Sequence, residues 1–112
     1  MLELRPTCEH CNKALPPSSP EAMICSFECT FCADCVARVL DGVCPNCGGN
    51  LCPRPIRPER AWRMTLSVEG YPPSETVKHR PVQRAAHRDL VARVRRGAPS
   101  RAAQGAEREA KT

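Results

Sequence analysis

The chain has 112 residues with a formal net charge of +5, and it holds nine cysteines and twelve prolines but only two Phe, one Trp and one Tyr. A chain of this size forms at most one domain, and so few large apolar side chains exclude a core built by hydrophobic burial alone. No stretch approaches the roughly 18 apolar residues of a membrane span, so no membrane partner is expected.

The net charge conceals a division. Residues 1–52 carry three basic and six acidic side chains, whereas residues 53–112 carry fourteen and six. Eight of the nine cysteines form one series in the acidic half: Cys8-x2-Cys11, Cys25-x3-Cys29-x2-Cys32-x2-Cys35 and Cys44-x2-Cys47. Cysteines two residues apart let one turn present two sulfurs to a tetrahedral ion, and eight thiols make two four-cysteine sites. The start, Met1-Leu-Glu-Leu-Arg5-Pro-Thr-Cys8, has no apolar run and carries Glu3, unlike a secretory signal. A cytoplasmic chain keeps its thiols reduced, and there such spacing favours metal over disulfides. Two Zn²⁺ per chain are expected, although four thiolates also suit iron. With thiolate ligands and two Zn²⁺ counted, the acidic half falls to about −7. Structural zinc contributes on the order of 10–16 kcal/mol of binding energy coupled to folding, so the metal takes the place of a core.

Taken in order, Cys8-Glu-His-Cys11 reads as a metal knuckle and Leu15-Pro-Pro-Ser-Ser-Pro20 as a loop. Met23-Ile24-Cys25 and Thr30-Phe31-Cys32 are β-prone and suited to a hairpin. Ala33 to Asp41 is predicted helical: Val36, Val39 and Leu40 stand at i, i+3 and i+4, and Gly42 suits the position just past the end. Cys44-Pro-Asn-Cys47-Gly-Gly is a further knuckle. Candidate core residues are Leu4, Leu15, Met23, Ile24, Phe27, Phe31, Val36, Val39, Leu40 and Val43. The two-zinc domain is predicted over 1–52, followed by an extended Pro/Arg linker over 53–61. In the basic tail, 62–112, Trp62, Met64, Leu66 and Val68 alternate with polar residues, which predicts a strand over 62–68. A helix is predicted over 82–96, after Pro81 and before Gly97, and the end of the chain is expected to be disordered.

Two wirings of the cysteines are open: neighbouring pairs sharing a metal, or a cross-brace in which the first and third pairs share one site and the second and fourth the other. Only two residues separate Cys29 from Cys32, so the chain passes there directly from one site to the next, which favours the cross-brace. The intervals over residues 8–47, with a helix opening at Cys32/Cys35 and a Cys-Pro-x-Cys, resemble the RING finger. That resemblance implies a small metal-stabilised α+β fold, RING-like or treble-clef, with a short β-hairpin and one helix. It also implies Cys8, Cys11, Cys32 and Cys35 as ligands of one zinc and Cys25, Cys29, Cys44 and Cys47 as ligands of the other. Residues 1 to about 58, including Ile-Cys-Ser-Phe-Glu-Cys-Thr-Phe-Cys-Ala-Asp-Cys and Arg-Pro-Ile-Arg-Pro, resemble the short bacterial proteins of domain-of-unknown-function family 1272, which implies a bacterial cytoplasmic origin and brings no activity with it.

The functional expectation is a zinc-binding module that docks a protein partner and catalyses nothing. Two closed four-thiolate sites leave no coordination position for an activated water, and no nucleophile–base set or phosphate loop stands out. Trp62 and its neighbours are the candidate docking strand, with cover for the small core as the simpler role. Three alternatives are ranked lower. The basic tail could bind nucleic acid non-specifically, with few aromatic platforms for bases. A RING-type ligase module is disfavoured because His10 stands where such ligases carry Ile or Val, and Gly48 where a cation often follows the last ligand. The third is a thiol redox or metal-handling role. Cys52, the ninth thiol, reads as a small buried hydrophobe; His10 competes poorly with two better-placed thiolates; His79 and His87 read as solvated.

Overall fold

The computed structural model describes residues 1–97 and divides the chain into two compact units, one over Met1–Val82 and one beginning at Gln83. The first is built on a three-stranded antiparallel sheet of order β2-β1-β3, with β1 at Ala22–Ile24, β2 at Thr30–Cys32 and β3 at Cys52–Pro53. β1 and β2 form the expected hairpin, with Met23 opposite Phe31. β3 pairs with the other edge of β1, Ile24 opposite Cys52. At two residues it is too short to carry a periodic signal in the sequence.

Helix α1, Ala33–Cys35, begins directly from β2 and widens into a π-helical turn, Val36–Leu40. Asp41 donates its backbone N–H to the Val36 carbonyl, five residues back, and takes φ 54°. Gly42 follows at φ 78°. The left-handed stop thus starts one residue earlier than a glycine cap alone predicts. Val36 and Leu40 turn inward, while Asp34 and Arg38 pair at 2.9 Å on the exposed side.

The core joins Leu15, Ala22, Phe31, Val36 and Leu40 to buried cysteines of both groups. Leu4, Ile24 and Val43 are also buried, whereas Phe27 is 70% exposed and lies outside the core.

Residues 53–82 pack with the first 52 in one unit. Arg54 is 4% exposed, donating from Nη1 to the Arg5 carbonyl (3.0 Å) and from Nη2 to those of Leu15 (3.0 Å) and Pro16 (2.9 Å). Burial, and then the Arg57 charge, hold its pKa below the ordinary guanidinium value. Arg57 donates to the carbonyls of Tyr71 (2.6 Å) and Leu2 (3.0 Å). Further on, Ser74 N–H reaches the Leu4 carbonyl and Arg80 N–H the Glu9 carbonyl. The Pro/Arg stretch is extended, as its prolines dictate, but Arg54 and Arg57 clamp it to the module.

The strand predicted over 62–68 does not form. These residues make turns inside a loop closed by the Val68 N–H on the Pro58 carbonyl at 2.8 Å. Leu66 N–H turns back to the Arg63 carbonyl, and Met64 takes φ 53°. A strand needs a neighbouring edge to satisfy its backbone, and here local turns satisfy it instead. Gly70 closes the loop: a Cβ there would stand 2.2 Å from the Thr65 carbonyl oxygen.

In the second unit, α2 spans Arg84–Gly97, beginning two residues later than predicted and including the glycine. Arg95 and Arg96 occupy its last turn, where the helix dipole favours cations. His87, expected in solvent, is buried. The end of the chain expected to be disordered lies outside the described residues from 98 onward. Among the described residues no helix is long and apolar enough to cross a membrane.

Candidate metal centre

Two knuckles share one hydrogen-bond pattern. In the first, Cys8 N–H donates to the Lys13 carbonyl and Asn12 N–H to the Cys8 carbonyl, both at 2.9 Å. In the last, Cys44 N–H donates to the Gly49 carbonyl (2.8 Å) and Gly48 N–H to the Cys44 carbonyl (2.9 Å). Asn12 and Gly48 hold the same place, one residue past the second cysteine, with φ 64° and 79°. Isolated bridges, Thr7 with Ala14 and Val43 with Asn50, close the base of each. The Cys25–Cys29 turn differs: Cys25 N–H meets the Cys29 carbonyl (3.2 Å), Glu28 N–H meets the Cys25 carbonyl (3.1 Å), and Glu28 takes φ 69°.

The knuckles bring sulfurs together from distant parts of the chain. Cys8, Cys11, Cys32 and Cys35 place their sulfurs within 4.8 Å of one another. This group joins the first cysteine pair to the pair that opens α1, the juxtaposition that a cross-brace requires. The Cys11 and Cys32 sulfurs are 3.8 Å apart. A tetrahedron with Zn–S bonds of about 2.3 Å has edges of about 3.8 Å, so the donor set fits a tetrahedral ion. It does not fit a disulfide, whose sulfurs lie about 2.05 Å apart. None of the nine cysteines is joined in a disulfide.

Cys25, Cys44 and Cys47 form the second group. Cys29, predicted as the fourth member, is buried beside it but falls outside the 4.8 Å set. The chain folds back at Cys29 through its carbonyl, which receives the Cys25 N–H. Around these sulfurs backbone amides point inward: Phe27 N–H toward Cys25 Sγ (3.3 Å), Asn46 N–H toward Cys44 Sγ (3.4 Å) and Gly49 N–H toward Cys47 Sγ (3.4 Å).

Electrostatics separate the individual sulfurs. Burial alone would push the Cys8 thiol up, but the backbone N–H groups of Cys11, Cys32 and His10 outweigh it and bring Cys8 below the ordinary thiol value. Cys32 and Cys35 are pushed up by burial, with charge on Cys8 adding to the effect. Cys44 is pushed up by burial, then by charge on Cys29 and Cys25. Burial and crowding thus oppose ionisation of Cys32, Cys35 and Cys44, which a bound cation would offset.

The remaining singled-out residues fall elsewhere. His10 belongs to neither cysteine group; its Nδ1 accepts the Val82 N–H at 2.9 Å, and its carbonyl meets His79 Nε2 at 3.1 Å. Cys52 is exposed on β3 rather than buried. Sequence reasoning missed Glu9, which lies between two cysteines of the first group and is 2% exposed. Its only sequence signal is a carboxylate set inside a knuckle.

No solved structure matches this chain. A protein of Rhizobium meliloti (strain 1021), described as uncharacterized, is 64% identical over 58 residues, covering 52% of this chain and 69% of the relative. Residues 1–57 match the family described as "Protein of unknown function (DUF1272)". The matched segment holds both cysteine groups and the two clamping arginines, Arg54 and Arg57, and on this match the chain belongs to the DUF1272 family.

Proposed function

We propose that the protein is a non-catalytic, RING-like cross-brace module that holds two Zn²⁺ and docks a protein partner. Cys8, Cys11, Cys32 and Cys35 would hold one ion, and Cys25, Cys29, Cys44 and Cys47 the other. The observation that carries this reading is the convergence of the first and third cysteine pairs from opposite sides of the β1–β2 hairpin. Each ion supplies a positive charge that keeps its four sulfurs deprotonated and pins distant turns together. Cys29 completes its set by a local shift of the Cys25–Cys29 turn. Saturated four-thiolate spheres leave no open position for chemistry on a substrate, and the reduced thiols suit the cytoplasm.

The contact surface is the loop closed between Pro58 and Val68. It exposes Trp62, Met64 and Leu66, with the Arg60 guanidinium 5.2 Å from the Trp62 ring centre. Trp, Met and Arg are the side chains that anchor protein interfaces. Arg60 and Arg63 call for a partner with an apolar pocket rimmed by carboxylates. Nucleic-acid binding is the weaker alternative, because Arg54 and Arg57 spend their guanidinium groups on carbonyls of the module itself. For a ligase, the position before the second cysteine matters, and His10 there is engaged by the chain's own Val82.

Native mass spectrometry with total metal analysis tests the metal reading: two zinc ions per chain with all thiols reduced are expected. One ion, iron, or loss of metal under mild peroxide would replace it with a redox or metal-handling role. For the docking surface, a photo-crosslinker placed at Met64 should capture one acidic partner reproducibly, and Trp62→Ala should abolish capture while leaving metal content unchanged.

A further inference from the structure

Glu9 occupies an unusual place for a carboxylate. It sits between Cys8 and Cys11 of the first cysteine group and is almost fully buried. One of its oxygens, Oε2, accepts from Arg5 Nη1 (2.8 Å) and from the backbone N–H of Thr30 (2.9 Å). The other, Oε1, accepts from Asn46 Nδ2 at 3.2 Å. Asn46 lies between Cys44 and Cys47 of the second group, and Thr30 lies on β2 between Cys29 and Cys32. The Glu9 backbone N–H also binds the Thr30 carbonyl at 3.0 Å. One residue of the first knuckle thus bonds both the last knuckle and the strand β2 that runs toward the third cysteine pair. Glu9 is not itself among the grouped metal-binding side chains.

We propose that Glu9 and Asn46 are positioning residues that couple the two metal centres, so that loading either one raises the affinity of the other. This rests on both groups binding metal as proposed above. The physical basis is the cost of a buried carboxylate. Its two buried oxygens have donors only while Arg5, Thr30 and Asn46 surround them. Metal at the second group fixes the last knuckle and holds the Asn46 amide against Oε1, which completes that shell and steadies the first knuckle. Metal at the first group fixes Glu9 and offers Asn46 its acceptor. Binding linkage requires the two effects to be equal.

Cadmium titration of the reduced, metal-free full chain tests this, followed by cadmium NMR and native mass spectrometry. In the wild type, both cadmium signals should grow together, and the singly loaded species should stay scarce at one equivalent. Asn46→Ala removes no ligand and leaves the fold with one hydrogen bond fewer. It should let the singly loaded species accumulate and shift the loading midpoints of both centres by about tenfold, within the 5–150-fold range usual for coupled sites. Glu9→Gln should act in the same direction, and if it does not fold, Asn46→Ala still decides. A shift of the second centre's midpoint alone would make Asn46 a local support and overturn the coupling. Independent loading in the wild type would overturn it too. Fewer than two cadmium ions at saturation would overturn the two-centre reading beneath it, an outcome distinct from two ions that load independently.

Discussion

The two cysteine groups differ by one residue of spacing, and the structure shows what that residue does. Cys8/Cys11 and Cys32/Cys35 are both two apart, and all four sulfurs converge within 4.8 Å. The second group combines one such pair, Cys44/Cys47, with Cys25/Cys29, three apart, and Cys29 falls outside the close set. The extra residue, Glu28 at φ 69°, lengthens the turn and commits the Cys29 carbonyl to Cys25 N–H. A knuckle with two intervening residues presents both sulfurs as a consequence of its backbone bonds. With three, the second sulfur stays outside the close set.

The largest expected effect separates the groups directly. Cys32→Ala removes a thiol from the preassembled set, which also lies in the core, and should unfold the first unit and lose both ions, seen by circular dichroism and native mass spectrometry. Cys29→Ala should keep the fold with one ion firmly held. If Cys29→Ala unfolded the protein as completely as Cys32→Ala, the distinction between the groups would fail.

Acid provides the next test. Burial pushes the thiols of Cys35, in the first group, and Cys44, in the second, well above the ordinary range, so protons compete strongly for these sulfurs. In the metal-loaded protein the sulfurs are thiolates, held below their unfolded pKa by the ion. Stability from the metal is therefore present near neutrality and lost as the pH falls. Zinc release followed with a chromogenic chelator should rise with acid. Two resolved steps would show that the groups remain unequal when loaded, and a single step would show that coupling overrides the difference.

A smaller effect concerns the clamp. Arg54→Met keeps the bulk but leaves the carbonyls of Arg5, Leu15 and Pro16 without this donor, that of Leu15 in a buried place, and should cost about 2 kcal/mol in urea unfolding, the order of the penalty for one buried acceptor without a partner. Both ions should stay bound, because no ligand changes. The smallest effects lie at the matched knuckle positions. Gly48→Ala forces a Cβ into left-handed backbone and should cost about 1 kcal/mol, whereas Asn12→Gly should be neutral or slightly stabilising. Equal penalties at the two positions would mean that the knuckles are not equivalent.

Much of the site was legible because cysteine spacing is local chemistry. The knuckles, the hairpin at Met23 and Phe31, the buried Leu4, Leu15 and Leu40, and the stop at Gly42 all follow from short intervals and side-chain type. Glu9, Arg54 and Arg57 were not legible. A charged side chain in a knuckle or among prolines reads as solvated unless the partners that surround it are known, and most of those partners lie 21 to 55 positions away along the chain. The period-two pattern from Trp62 to Val68 was misleading for the same reason, since alternation specifies a strand only where a second edge is present to receive it.

The sequence by itself determined how many sulfurs could gather and which turns would present them, because a knuckle closes over a handful of residues with its own backbone. Only the tertiary structure decided that β3 joins β1, that two arginines bind the later segment to the module, and that one buried carboxylate spans both cysteine groups. These contacts join distant residues, and their geometry exists only after the hairpin and knuckles have brought the chain together.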